Sequence, residues 1–418
     1  MFFMKVYFLI QLILILSIST KGQVLSVTEA GLSESYLKIK PKIRQYLRSN
    51  QADSVVVLGE KTWNDLDKMV KANQDSKIKT LIHNIQIELS YDLARGFAML
   101  KNKEKTLYYL AAFEQTGFNN PKLVRGNTLF DFVSDEKRFQ SIVKTLRERG
   151  DYQYILQKYA RYENKRKVES FNFTYESFNS EYLVKIRQLF NLDSIAGGGD
   201  EISQITRLMK WVHDIIRHDG SSLNPERKNA FDIINVCKIE NRGVNCRMMA
   251  TVLNEVYLAM GFYSRHLTCM PKDNLDSDCH VVNMVFSRKL NHWIYVDPTF
   301  EVLLQDQNGQ YLSPEAIRKR MVSKDSIHVA NTLNWNGKPY NGMFGDGKSG
   351  YLEYMTKNFF WFTCPIDSRS SYETNNTQLH YIGLVPVGFK EYDFKVPAGS
   401  KTQVTNQPAA FWKSPIKR

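Results

Sequence analysis

The chain has 418 residues, of which 43% are hydrophobic and 12% aromatic, and a formal net charge of +13. That length exceeds what one core usually holds, so two or three domains are expected, and the apolar content excludes wholesale disorder. The densest basic run, Lys38 to Arg48, alternates with apolar residues as an amphipathic helix does; the positive balance is therefore read as surface solvation, and no nucleic-acid partner is expected.

The chain opens with Lys5, an apolar run from Val6 to Ile18, and a polar exit through Ser19, Thr20 and Gly22. That order is a secretory signal peptide over residues 1–22, cut near Gly22. The run is short for a membrane span, and no other stretch is long and apolar enough for one. The mature protein is expected to be secreted or periplasmic. Disulfides are allowed there, and Cys237, Cys246, Cys269, Cys279 and Cys364 are odd in number, so at least one thiol stays free unless it pairs between chains.

Residues 23–165 read as an all-α domain. Leu81, Ile82, Ile85, Ile87, Leu89 and Leu93, then Leu107, Leu110 and Phe113, recur at helical spacing, and Gly117 with Asn119-Asn120-Pro121 stops one helix. Tyr91 to Gly96 followed by Tyr109 to Phe113 resembles a tetratricopeptide helix pair, and Phe132 to Phe139 resembles the tail after such a repeat. One unit cannot stack alone. The region is expected to be a small helical domain or a drifted array, with a surface for a protein partner.

Residues 166–418 read as a mixed domain. A helix is expected from Ile202 to His218, a short one from Ala230 to Cys237, and another from Cys246 to Gly261. Strands are expected over Tyr263 to Met270, His280 to Phe286, His292 to Val296 and Tyr381 to Val387, with a β-rich completion in the last hundred residues. Asn245 is a good helix-starting residue, Gly261 a good terminator, and Gly243 allows an unusual turn. Cys246 then sits in a helical first turn, where the dipole favours thiolate and its backbone N–H could serve an oxyanion. A hairpin would bring His280 and Asp297 together. Each residue also has a plain structural reading: a buried small thiol, a cross-strand histidine, and a turn aspartate ahead of Pro298.

In combination, Gly243-Val-Asn-Cys246 opening a helix, a strand bearing His280, and Trp293-Ile-Tyr-Val-Asp297-Pro-Thr closing a hairpin resemble the transglutaminase-like superfamily. The helix containing Met209 to His213 fits the one that precedes its cysteine segment. The resemblance implies an α+β fold, with a papain-like core of a cysteine-bearing helix packed on an antiparallel sheet. It maps thiol, base and orienting carboxylate onto Cys246, His280 and Asp297. It implies acyl transfer or hydrolysis at amide bonds of a peptide, protein or cell-wall substrate, without cofactor or metal. A catalytically silent scaffold on the same fold is the alternative. The family's oxyanion side-chain donor has no motif here, and Val281 to Met284 lacks the aromatic or acidic residue often found after the histidine.

Three other signals are set aside. Gly342 to Ser349 matches a phosphate-loop pattern but follows a polar, Pro-interrupted stretch, which suits a surface loop. His266, Cys269, Cys279 and His280 lack zinc spacing, and His213 and His218 read as surface or capping residues. Asn172-Phe-Thr and Asn375-Asn-Thr fit glycosylation sequons.

Overall fold

The computed structural model describes residues 29–415, apart from 116, 118–119, 165–168, 275, 277, 330–332, 343–344, 376–377 and 391–399. The expected signal peptide lies outside the described residues. Among the described residues no helix is long and apolar enough to cross a membrane. The chain divides into two units, Met1–Asp151 and Tyr152–Arg418.

The described part of the first unit is built from helices: Glu29–Arg48, Ala52–Ala72, Ser76–Met99, Lys103–Gln115 and Lys137–Gly150, with two short 3-10 turns. The third of these shows the pattern most clearly, because Ile82, Ile85, Leu89 and Leu93 recur on one face and are buried. Close approach between the second and third helices needs two glycines. A Cβ on Gly59 would meet Leu93, and one on Gly96 would meet Val55, each at 2.6 Å. The basic run lies on the first helix, with Ile43 and Leu47 buried and Lys40 paired with Glu88 at 2.6 Å.

The second unit is organised by one eight-stranded sheet. Its spatial order is Lys401–Thr405, His380–Leu384, Trp361–Pro365, Ser264–Met270, His280–Ser287, His292–Asp297, Val302–Gln305 and His328–Val329. Pairing is antiparallel except between the first two, which run parallel. One face packs on the helices Glu181–Leu189, Glu201–Ile215, Ala230–Ile239 and Cys246–Ala259, through Val285, Ile294, Val296 and Leu303. The other face holds Val282, Met284, Trp293, Tyr295 and Phe362 against Ile317, Tyr351 and Phe359. The alternation along each strand is what a sheet buried on both faces requires.

Helix Tyr152–Lys158, which the sequence pattern attaches to the first domain, belongs to the second unit. Its Ile155 and Leu156 lie in that unit's core. The last hundred residues also contain two helices that a β-rich reading omits, Pro314–Ser323 and Gly347–Asn358. Ser313 caps the first, accepting from the Ala316 N–H at 3.1 Å, with Pro314 at the first helical position. The second starts inside the glycine-rich Gly342 to Ser349 segment read as a surface loop. Gly347 and Gly350 disfavour helix locally, but a Cβ on Gly350 would lie 2.3 Å from the Gly345 carbonyl oxygen. Packing of Tyr351 and Met355 outweighs propensity there. Before it stands a short hairpin, Asn341–Gly342 with Gly345–Asp346, rather than the buried strand a phosphate loop needs.

Candidate active site

The Cys246 helix runs Cys246–Ala259. Asn245 caps it, its side chain accepting from the Met248 N–H at 3.2 Å. At the far end Gly261 has φ +78°, and the Gly261 and Phe262 N–H groups donate to the Leu258 and Tyr257 carbonyls at 3.0 and 2.9 Å. That is a Schellman termination, as Gly261 leads one to expect. Gly243 acts differently from the turn expected of it. It has no positive φ; instead a Cβ there would lie 2.5 Å from the Arg217 carbonyl oxygen. It lets the segment through His218 pair with Val244 beside the start of the helix.

The hairpin forms as its sequence predicts, with Asn283 opposite Val296. Continuing that register puts Asp297 diagonal to His280 on one face, a spacing that long side chains bridge. His280 Nε2 and Asp297 Oδ2 are 2.7 Å apart. Asp297 is fully buried and its two oxygens are well supplied. Oδ2 also accepts from the Tyr351 hydroxyl at 2.9 Å and the Tyr295 hydroxyl at 3.4 Å, and Oδ1 from the Thr299 N–H at 3.0 Å. The His280 ring lies between Phe300 and Tyr354, at centroid distances of 5.4 and 5.6 Å.

With Nε2 committed to Asp297, the other ring nitrogen of His280 is the one left for the thiol, and His280 acts on the ionisation of Cys246. A second imidazole, His218, also acts on the ionisation of Cys246. Burial alone would push the Cys246 thiol up. The bonds and charges of His218 and His280 outweigh it and bring it down to about 6. For His280, burial opposes the cation, but the Asp297 charge and bond, with the thiol, raise it to about 10. Both directions favour thiolate and imidazolium in the pair. Cys246 keeps partial exposure, whereas His280 and Asp297 are buried.

His218 is not on the preceding helix, which ends at Ile215 with Ile216 extended. Freed from the helix, it lies beside the start of the Cys246 helix, its backbone bridged to Val244. Its backbone N–H donates to Asn336 Oδ1 at 2.7 Å, and Asn336 Nδ2 donates to its carbonyl at 2.9 Å. Asn336 and Gly337, both at positive φ, form the turn of the hairpin Asn334–Trp335 with Lys338–Pro339. Asn-Gly is the sequence signal for such a turn; no comparable signal marks Tyr351, which is remote in sequence.

His213 is buried rather than at the surface. Its Nδ1 lies 2.9 Å from the Pro298 carbonyl, which fixes the turn after Asp297. With Asp214 and Glu301 it forms a group whose ligand atoms lie within 4.8 Å of one another. Glu301 already receives Asn334 Nδ2 at 3.1 Å and has Lys210 Nζ at 3.7 Å, so the group reads as a structural tie. All five cysteines are free thiols. Cys269 stands opposite His280 in the sheet. Burial raises Cys279 and Cys364 to about 11, so Cys246 stands apart.

The loop leading to His280 is held by Lys357, a buried cation whose Nζ donates to Asp276 Oδ2 at 2.7 Å and to Asp278 Oδ2 and the Asp278 carbonyl at 2.9 Å. Both aspartates remain partly in water, which discounts the pairing. Lys357→Met should lower unfolding free energy by about 1–3 kcal/mol. Urea denaturation would check this, and an unchanged midpoint would refute it.

These features bring a thiol, an imidazole and a carboxylate to one place on an α+β fold. Residues 190–298 match the model of the transglutaminase-like superfamily, which supports a transglutaminase-like fold for this part of the chain. The match takes in Cys246, His280 and Asp297. No curated protein matches the chain significantly. Among solved structures, the chain is similar to a candidate cysteine protease from Cytophaga hutchinsonii, at 17% identity and a TM-score of 0.24. That similarity covers 36% of this chain and spans half the length of the other.

Proposed function

We propose that the second unit is a thiol hydrolase or acyltransferase acting on amide bonds. The observation that carries this reading is the junction of the Cys246 thiol, at a helix start, with a His280 ring held by Asp297 at 2.7 Å. The thiolate attacks an amide carbonyl carbon, and the π electron pair moves to oxygen. The tetrahedral adduct collapses, the C–N bond breaks, and His280 gives its proton to the leaving amine. A thioester remains on Cys246. Water attacks it, His280 takes the water proton, and the C–S bond breaks to release acid and thiolate. An amine in place of water would give cross-linking, which we rank second.

The scaffold reading requires a sealed thiol, and alkylation of Cys246 by iodoacetamide at neutral pH would exclude it. We further propose export through the residues 1–22 leader; recovery of a chain still carrying Met1 from the exported fraction would refute this. Substrates would be peptides, proteins or cell-wall amides, and the helical first unit would offer a protein partner a docking surface. The test is amine release from a peptide and cell-wall fragment library, with and without an added amine. Protein alkylated by iodoacetamide, with the label mapped to Cys246, is the control. Release that survives full alkylation of Cys246 would sink the proposal.

A further inference from the structure

Two large apolar side chains stand in water beside the start of the Cys246 helix. Leu223 is 84% exposed and Trp335 39% exposed. A lone exposed leucine means little, but both of these are tied by hydrogen bonds to the residues just before the thiol. Trp335 Nε1 donates to His218 Nδ1 at 3.1 Å, and His218 pairs with Val244, two positions before Cys246. That pairing is closed on both sides. The Asp219 N–H donates to the Val244 carbonyl at 2.8 Å, and the Val244 N–H to the Arg217 carbonyl at 3.0 Å. Leu223 is held from the next residue along. Its neighbour Asn224 accepts at Oδ1 from Asn245 Nδ2 at 2.7 Å, and Asn245 directly precedes Cys246. Arg242 Nη1 donates to the Leu223 carbonyl at 2.8 Å and to Ser222 Oγ at 2.6 Å.

Holding a surface loop in one place costs conformational entropy, and an apolar side chain kept in water adds no burial until something covers it. What can cover this pair is narrowly set by its chemistry. The one donor of the Trp335 indole is committed to His218, so its ring offers only apolar and π surface. The Leu223 side chain has no polar atom. We propose that Leu223 and Trp335 contact the substrate and select polypeptides with a large apolar or aromatic side chain near the scissile amide. Cell-wall stem peptides of small and charged residues do not fit such a surface. The proposal rests on the thiol acyl-transfer reading above and narrows its substrate class. An apolar side chain that covers the pair removes water from both partners, and that binding energy holds the amide carbonyl in place against the thiolate.

The test offers the full-length protein a library of peptides of varied sequence, beside cell-wall fragments, and locates the cut bonds by mass spectrometry. Wild type should cut peptides within a few residues of Leu, Met, Phe or Tyr. Matched peptides with Phe or Ser at the preferred position then give a ratio of kcat/KM values, Phe over Ser. Leu223→Ser and Trp335→Ala should each lower that ratio about tenfold or more, the scale for losing part of an apolar contact. The ratio is the readout because Trp335→Ala also takes a donor from His218. Any change in thiol reactivity acts on both peptides alike and cancels. Leu223→Arg should in addition turn the preference toward Glu at that position, which a merely structural role of the loop would not do.

An unchanged ratio in one variant would remove that residue from the proposal, and in both would overturn it while leaving the triad standing. So would cutting without regard to apolar residues, or cutting of cell-wall fragments alone. A wild type that cuts neither peptides nor cell-wall fragments would sink the thiol reading and this proposal together.

Discussion

Cys246→Ala should abolish amide cleavage, by about 10⁴-fold or more, while leaving the fold in place. The size of the effect follows from the chemistry: without sulfur there is no thioester, and the remaining donors and base act only on bound water. The fold should persist because Cys246 is partly exposed at a helix start whose cap is Asn245, not the thiol. Cys246→Ser makes the sharper comparison. A hydroxyl in the same place keeps the size and the hydrogen bonds but not the ionisation that His218 and His280 promote in sulfur. It should be nearly as dead as the alanine variant. Kinetics of amine release, with thermal unfolding as a check on folding, would decide. Cleavage by Cys246→Ala within tenfold of wild type would remove Cys246 from the mechanism.

How much of this centre could be read from the sequence depended on how locally each part is specified. Cys246 was legible because a cap, an apolar helical repeat and a terminating glycine lie within one short segment. His280 and Asp297 were legible because a hairpin sets their register, and 17 residues of chain join them. The same logic explains what was missed. His218 follows a strongly periodic helix and was carried along with it. The helix stops three residues earlier, for a tertiary reason, the close approach that Gly243 allows to Arg217. Tyr351 supports Asp297 from a helix whose first turn is rich in glycine, so its local signal points to a loop. The Gln115 helix end and the Gly261 stop were written in turn chemistry; the supporting tyrosines were written only in packing.

Asp297→Asn should cost about 10³–10⁴-fold in cleavage at neutral pH, the scale expected when the buried aspartate orienting a catalytic imidazole is amidated. The wild-type pH profile should be a bell. Its acid limb reports loss of thiolate, near the Cys246 value of about 6, and its alkaline limb loss of imidazolium, near the His280 value of about 10. Both limbs depend on Asp297. Its charge is the principal support of the His280 cation against burial, and that cation helps hold the thiolate. An asparagine has nearly the same shape but no charge. Its amide must also place an NH₂ against either the His280 Nε2–H or the Thr299 N–H, both of which need an acceptor. The alkaline limb should therefore fall and the acid limb should rise, so that the bell narrows from both sides. Tyr351→Phe removes one of the donors to Asp297 Oδ2 without touching the charge, and should lower the rate with a much smaller movement of either limb. A purely structural role for Asp297 would instead lower the whole profile without moving its limbs, and that outcome would separate support of the fold from support of the imidazolium.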